Sequence, residues 1–144
     1  MIFTIKQGNH TFFHLPRLTF KRKISGYFKF ITDIPETDYT NKIIGLSDNF
    51  HHHKDSVRLG FRGKVACAIF YTNGFRTIIP ICEWKEDEKN QFEIKIMNNY
   101  YSVKVNDNVV VHERSSNWIL MRYRLSFYWG GKSPAPKTVK IEIL

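Results

Sequence analysis

Three stretches of this sequence carry side chains that could do chemistry. The first is Asp55-Ser-Val-Arg-Leu-Gly-Phe-Arg62. On an extended chain, alternation puts Ser56, Arg58, Gly60 and Arg62 on one face, with Val57, Leu59 and Phe61 on the other. Gly60 between two arginines leaves room for a ligand to approach the backbone. The second stretch is Trp118-Ile-Leu-Met-Arg-Tyr-Arg-Leu-Ser-Phe-Tyr-Trp129. There the same alternation groups Ile119, Met121, Tyr123, Leu125 and Phe127 against Trp118, Leu120, Arg122, Arg124, Ser126 and Tyr128. If the arginine-bearing faces of the two strands coincide, Arg58, Arg62, Arg122 and Arg124 form one basic patch. Guanidinium forks bind carboxylate, sulfate or phosphate through paired hydrogen bonds. Tyr71, Tyr128 and Trp118 would add flat surfaces for sugar rings or bases. The plainer reading is an outward sheet face whose arginines pair with Glu93, Glu113 or Asp55, or lie over aromatic rings.

The third stretch is His51-His52-His53. Adjacent histidines on an extended chain point alternately, so only His51 and His53 share a side. No CxxC, HExxH or second histidine pair completes a metal-ligand pattern. No metal and no cofactor is expected. His51 and His53 are read as hydrogen-bond donors or pH-sensitive charges in a loop at the mouth of a groove.

Missing motifs narrow the chemistry further. The sequence has no GxSxG, GxGxxG or phosphate-loop pattern. A retaining glycosidase needs two carboxylates about 5–5.5 Å apart. Glu86-Asp87-Glu88 falls in an expected turn, which leaves Glu93 and Glu113 as the strand acids near the middle of the chain. A polysaccharide lyase could work without such a pair. Arg58 would neutralise a uronate carboxylate while His53 or Tyr71 moved the proton. No residue is assigned as catalytic, and lyase activity is the form that enzymatic function would take.

The 22 lysines and arginines outnumber the 13 acidic residues, giving a formal net charge of +9. Such a surface favours nucleic acid, an acidic glycan or an acidic protein surface, although solubility alone also explains it. The basic residues are dispersed, and the densest run is Lys21-Arg22-Lys23. No recognition-helix pattern, aromatic RNA-binding pair or glycine-rich clamp is visible, so nucleic acid ranks last. No run of about 18 apolar residues exists, and no membrane partner is expected. The opening residues lack a signal-peptide pattern. The expected location is the cytoplasm where the chain is made, or a phage virion. The wealth of Phe, Tyr, Ile, Asn and Lys, residues with AT-rich codons, fits a gut bacterium or its phage.

These side chains need elements to position them. The 144 residues suit one domain, 1–144. Helical periodicity is nearly absent, and short β-rich runs recur between turn signals. Strands are expected near 2–6, 11–14, 24–32, 42–46, 56–62, 64–72, 75–84, 91–97, 100–105, 108–113, 118–128 and 138–143. Asn73-Gly74 suits a type I′ hairpin. If Thr72 faces Phe75, Cys67 faces Pro80 and Cys82 faces Val65. The two thiols would then be diagonal neighbours on one face, roughly 7–8 Å apart, beyond disulfide reach. Buried free thiols are expected. The last strand, Thr138-Val-Lys-Ile-Glu-Ile143, alternates cleanly and should close a sheet beside the first strand.

Lys42-Ile-Ile-Gly-Leu-Ser, the histidine loop, Ser56-Val-Arg-Leu-Gly-Phe-Arg62 and the late Phe-Tyr-Trp-Gly-Gly-Lys-Ser-Pro-Ala-Pro136 with its closing strand resemble small concanavalin-A-like jelly rolls (laminin-G, lectin and glucanase domains). Such domains occur in gut bacteria and their phages. The resemblance covers roughly residues 20–144. It implies an all-β fold, a two-sheet antiparallel β-sandwich with a curved sheet that binds glycan in many members. The glucanase Glu-x-Asp-x-x-Glu pattern, the legume-lectin metal-binding acids and the alginate-lyase motifs are not matched. The leading expectation is therefore a non-catalytic module that recognises glycan through its basic and aromatic sheet face, as a virion decoration or attachment protein. Ligand-binding candidates are Arg58, Arg62, Tyr71, Arg122, Arg124, Tyr128, His51 and His53. The alternatives are a structural subunit, in a homo-oligomer or larger particle, that meets an acidic protein surface, and a polysaccharide lyase.

Overall fold

The computed structural model describes residues 1–11, 17–130 and 133–144. Among them the regular elements are twelve strands: β1 (Ile2–Ile5), β2 (Arg17–Thr19), β3 (Lys23–Phe30), β4 (Asn41–Ser47), β5 (Ser56–Arg62), β6 (Val65–Thr72), β7 (Phe75–Glu83), β8 (Asn90–Ile96), β9 (Tyr100–Val105), β10 (Asn108–Glu113), β11 (Arg122–Leu125) and β12 (Val139–Ile143). They form two six-stranded sheets, β1-β12-β3-β8-β9-β10 and β2-β11-β4-β5-β6-β7. The pairings are antiparallel and the sheets stack as a sandwich, as the alternation of apolar residues requires.

The expected strand at 11–14 falls, apart from Thr11, outside the described residues, as do Gly131 and Lys132 of the late loop. The short β2 was not anticipated. The expected strand 118–128 shrinks to four residues and one isolated bridge between Tyr128 and Lys42. The closing strand behaves as its alternation demands: β12 lies between β1 and β3. The Met1 amino group donates to the Ile143 carbonyl at 3.0 Å.

Between the sheets, Phe28, Phe92, Ile94, Val103 and Ile141 meet Leu46, Val57, Leu59, Phe61 and Phe70 in one fully buried cluster. The hairpin at Asn73-Gly74 has positive φ at both residues (52° and 87°), which only Asn, Asp and Gly adopt readily. Two bulges break the alternation. One, between Lys42 and Ile44, sends both Ile43 and Ile44 into the core and turns Lys42 outward. The other, opposite Ala66 and Cys67, corrects the expected cysteine geometry. Cys67 faces Pro80 as expected, but Cys82 faces Ala66 rather than Val65. The extra residue moves Cys82 to the core side, where its thiol reaches the Val105 carbonyl, while Cys67 stays on the outer face with Gly60. Both thiols are free, Cys67 buried and Cys82 half-buried.

Candidate functional site

The outer face of the second sheet is built in rows across its strands. One row runs Leu125, Gly45, Arg58, Ile69, Ile78; the next runs Tyr128, Lys42, Gly60, Cys67, Pro80; a third runs Ser47, Ser56, Tyr71, Arg76. Directly paired residues in antiparallel strands share a face. Lys42, Arg58, Tyr71, Arg76 and Tyr128 therefore point the same way, and Arg62 follows by alternation along β5.

Glycines form the floor of this face. A Cβ on Gly45 would lie 2.7 Å from Arg58 Cγ, so the arginine stem lies flat across that glycine. A Cβ on Gly60 would lie 2.6 Å from Ile69 Cδ1, so Ile69 covers it in the same way. Arg58 is only 7% exposed. Its Nε and Nη2 are buried with no protein hydrogen-bond partner. Burial brings the guanidinium down to about 10, with the Tyr71 phenol partly offsetting it. An unpaired buried guanidinium is costly, and native structures rarely keep one without a reason.

The neighbours add positive charge rather than relieve it. Lys42 donates to the Gly130 carbonyl at 3.1 Å and sits 5.4 Å from the centre of the Tyr128 ring. Desolvation, then Arg58 and Arg76, bring its ammonium down to about 8. Among the described residues, none of Lys42, Arg58, Arg62 and Arg76 forms an ion pair. Arg62 reaches the Asp38 backbone carbonyl instead. A groove of about 420 Å³ borders the site between Tyr39, Lys42, Arg62, Arg76 and Ser133.

The histidine loop closes over one end. Residues 52–54 form a turn, so the alternation expected for an extended chain does not apply. His51 uses its backbone, its carbonyl accepting from the amides of Lys54 and Asp55. The ring contact runs from His52 to His53 at 4.2 Å and from His53 to Tyr71 at 5.4 Å. Desolvation and then Arg58 lower both rings, His52 to about 4. At neutral pH both are uncharged. Tyr128 is held between Lys42 and His10, whose ring stacks on it at 5.5 Å.

The four arginines do not converge. Arg124 is in register with Leu46, a core residue, which puts the arginine side of β11 on the inner face, opposite to Arg58 and Arg62. Arg122 is 1% exposed and points at Asp48, itself fully buried. Asp48 accepts from Arg114 Nε at 2.6 Å and Nη2 at 3.0 Å, from the Tyr101 hydroxyl at 2.7 Å, and from Arg122 Nη2 at 3.4 Å. Burial and that bond hold the Tyr101 phenol well above its ordinary range. This network ties the two sheets together at one end. Arg124, half-buried beside Arg17, is lowered by desolvation and by that neighbour's charge. Trp118 is also away from the site, its ring packed 5.1 Å from Phe50.

The outer face thus gathers Arg58, Arg62, Tyr71, Tyr128 and His53 from the sequence expectation. It adds Lys42, Gly45, His52 and Arg76, and loses Arg122 and Arg124. Gly45 inside a strand was the legible signal for the close packing; the bulge that turns Lys42 outward left none. Among the described residues no cluster of three or more His, Cys, Asp or Glu is arranged to hold a metal.

No family model matches this sequence, and no curated protein is similar to it. Solved structures are similar in fold. Alginate lyase AlyC3 superposes with a TM-score of 0.68 at 9% identity over 99% of this chain and 71% of its own. The Crh5 transglycosylase gives 0.63 at 15% identity, over 99% and 69%. The binding domain of botulinum neurotoxin serotype D/C gives 0.55 at 9% identity, over 84% and 31%. At these identities the likeness is one of fold: the chain has the fold of a small concanavalin-A-like β-jelly roll.

Proposed function

We propose that this concanavalin-A-like jelly roll binds an acidic polysaccharide across the outer face of its second sheet, with Arg58 as the anchor for a sugar carboxylate. One observation carries the reading. Arg58 is buried, two of its nitrogens have no protein partner, and the charges around it are basic and unpaired. A carboxylate supplies what the guanidinium lacks, through two parallel charge-assisted hydrogen bonds. Small side-chain shifts in the His53 and Tyr71 cover would admit it, a common change on binding. Lys42 and Arg76 lie beside it for further charges along the polymer, and the Tyr128 ring offers stacking area. The fold neighbours support a carbohydrate ligand, since they include an alginate lyase in complex with dimannuronate and a transglycosylase in complex with NAG.

The test is a panel of uronate-bearing, sulfated and neutral polysaccharides, read for retention and for ultraviolet absorbance from unsaturated product in the same samples. Retention of uronate polymers that disappears in Arg58→Ala supports the proposal. Retention unchanged by that substitution removes Arg58 from the account. A lyase reading rests on the contact between His53 and Tyr71 beside Arg58. A neutral imidazole can take a proton next to a carboxylate that the arginine neutralises. Unsaturated product that vanishes in His53→Ala would promote it; retention without product would confine the protein to binding.

A further inference from the structure

Three separate segments present apolar side chains at the end of the sandwich that the Asp48 network ties together. Ile119 is 81% exposed and Phe20 73%; Leu120, Phe50 and Leu18 are at least half exposed. One guanidinium fixes their spacing. Arg122 Nη1 donates to the carbonyls of Phe20 (3.5 Å) and Lys21 (3.2 Å), and its Nη2 donates to the carbonyl of Trp118 (3.3 Å). Phe50 joins them through ring contacts to Trp118 and to Tyr123, which is in register with Leu18.

We propose that this end docks on an anionic lipid surface, seating Phe20, Ile119 and Leu120 at the boundary between headgroups and acyl chains. Two observations favour lipid. First, entering the interface penalises backbone groups that lack partners. Here Arg114 and Arg122 bind the Trp118 carbonyl, Arg122 binds those of Phe20 and Lys21, and Trp118 Nε1 binds that of Met121. The carbonyls of Phe20 and Lys21, and those of Trp118 and Met121 on either side of Ile119 and Leu120, thus already have partners. Second, the charge is complementary. Segments 17–22, 48–50 and 114–124 hold six arginines and lysines against one carboxylate, Asp48, which is consumed by Arg114 and Arg122. Arg17 and Lys21 remain exposed beside the apolar side chains. A handful of apolar residues is small against the roughly 800 Å² per partner of a stable protein interface, but it suffices for an interfacial anchor backed by basic residues. No helix among the described residues is long and apolar enough to span a membrane. No long apolar run in the sequence points to a membrane partner. The fold assembles from three short stretches a patch that no window displays.

The experiment is co-sedimentation of the whole chain with vesicles of phosphatidylcholine alone or mixed with phosphatidylserine. Binding is expected to the mixed vesicles, to weaken with salt, and to be largely lost on phosphatidylcholine alone. Ile119→Ser with Leu120→Ser should reduce it at least about tenfold, and Lys21→Ala about fivefold. Far-ultraviolet circular dichroism and uronate-polymer retention should stay unchanged in both variants, because these side chains are exposed and outside the glycan face. Lack of binding to mixed vesicles at low salt overturns the proposal. So does binding that the double serine variant leaves intact. A vesicle-free dimer that the double variant dissociates would assign the patch to a second copy of this chain instead.

Discussion

Replacing Arg58 with methionine should make the protein more stable and less able to bind. The stem methylenes that cover Gly45 are kept, and the charge with its two partnerless nitrogens is removed. Bringing a guanidinium down to about 10 by burial corresponds to about 3 kcal/mol against the charged form. Arg58 is 7% exposed, so solvent screens little of this. Part of the relief will be lost to imperfect packing of the new side chain, leaving an expected gain of about 1–3 kcal/mol. For a chain of this length that raises the midpoint of thermal unfolding by about 4–10 °C. The two charge-assisted hydrogen bonds contribute about 1.5–3 kcal/mol each, so losing both should lower uronate-polymer affinity by about 150-fold or more. The assays are urea unfolding without ligand and calorimetric titration with a uronate oligomer. A variant less stable than wild type by more than about 1 kcal/mol would refute the reasoning, because it would mean that the guanidinium is satisfied where it sits. Opposed changes in stability and affinity are the signature of a group kept for function.

Gly45→Ala should cost about 1–3 kcal/mol and weaken polymer binding, since the new methyl would lie 2.6 Å from the Val57 carbonyl oxygen and 2.7 Å from Arg58 Cγ; wild-type unfolding and affinity together would show that the floor is not tight. Polymer affinity should decline as pH rises through about 8, where Lys42 loses its proton, and Lys42→Arg should abolish the decline in titrations across that range. The sign for stability is opposite. Between about 8 and 10.5 the unfolded chain holds the Lys42 proton and the folded chain does not, so this residue's contribution to unfolding free energy rises with pH. Asp48→Asn should cost about 3–5 kcal/mol in urea unfolding, because it leaves Arg114 and Arg122 buried without a counter-charge; a loss under about 1 kcal/mol would show that the network's other hydrogen bonds compensate.

The strands that alternate cleanly were legible because a half-buried sheet imposes a period of two. The Val139–Ile143 strand, its place beside β1 and the Asn73-Gly74 hairpin all follow from that rule and from turn chemistry. Face assignments failed where a strand is short or bulged. In 118–129 only four residues are extended in a strand, so alternation carried across the whole run misplaced Arg122 and Arg124. The bulge at Lys42/Ile44 turns a lysine outward next to two buried isoleucines, and nothing in Lys-Ile-Ile-Gly marks it. The bulge near Cys82 moved that thiol to the other side of its sheet. Arg58 was found because its strand is regular and central. That Asp48 would be the single acid shared by two arginines was beyond the sequence, since its partners lie 66 and 74 residues away.

The pairing of β1 with β12 fixes the order in which the chain can be completed. Met1 and Ile143 are hydrogen-bonded across 142 residues of sequence. Loop closure on that scale is entropically the costliest contact to make early. During synthesis, Ile2–Ile5 has no sheet partner until Val139–Ile143 has left the ribosome, while the β5-β6-β7 meander pairs locally as it emerges. The β5-β6-β7 part of the second sheet can therefore pair before the first sheet acquires its edge, and β1 is the strand that waits longest with its hydrogen-bonding groups open.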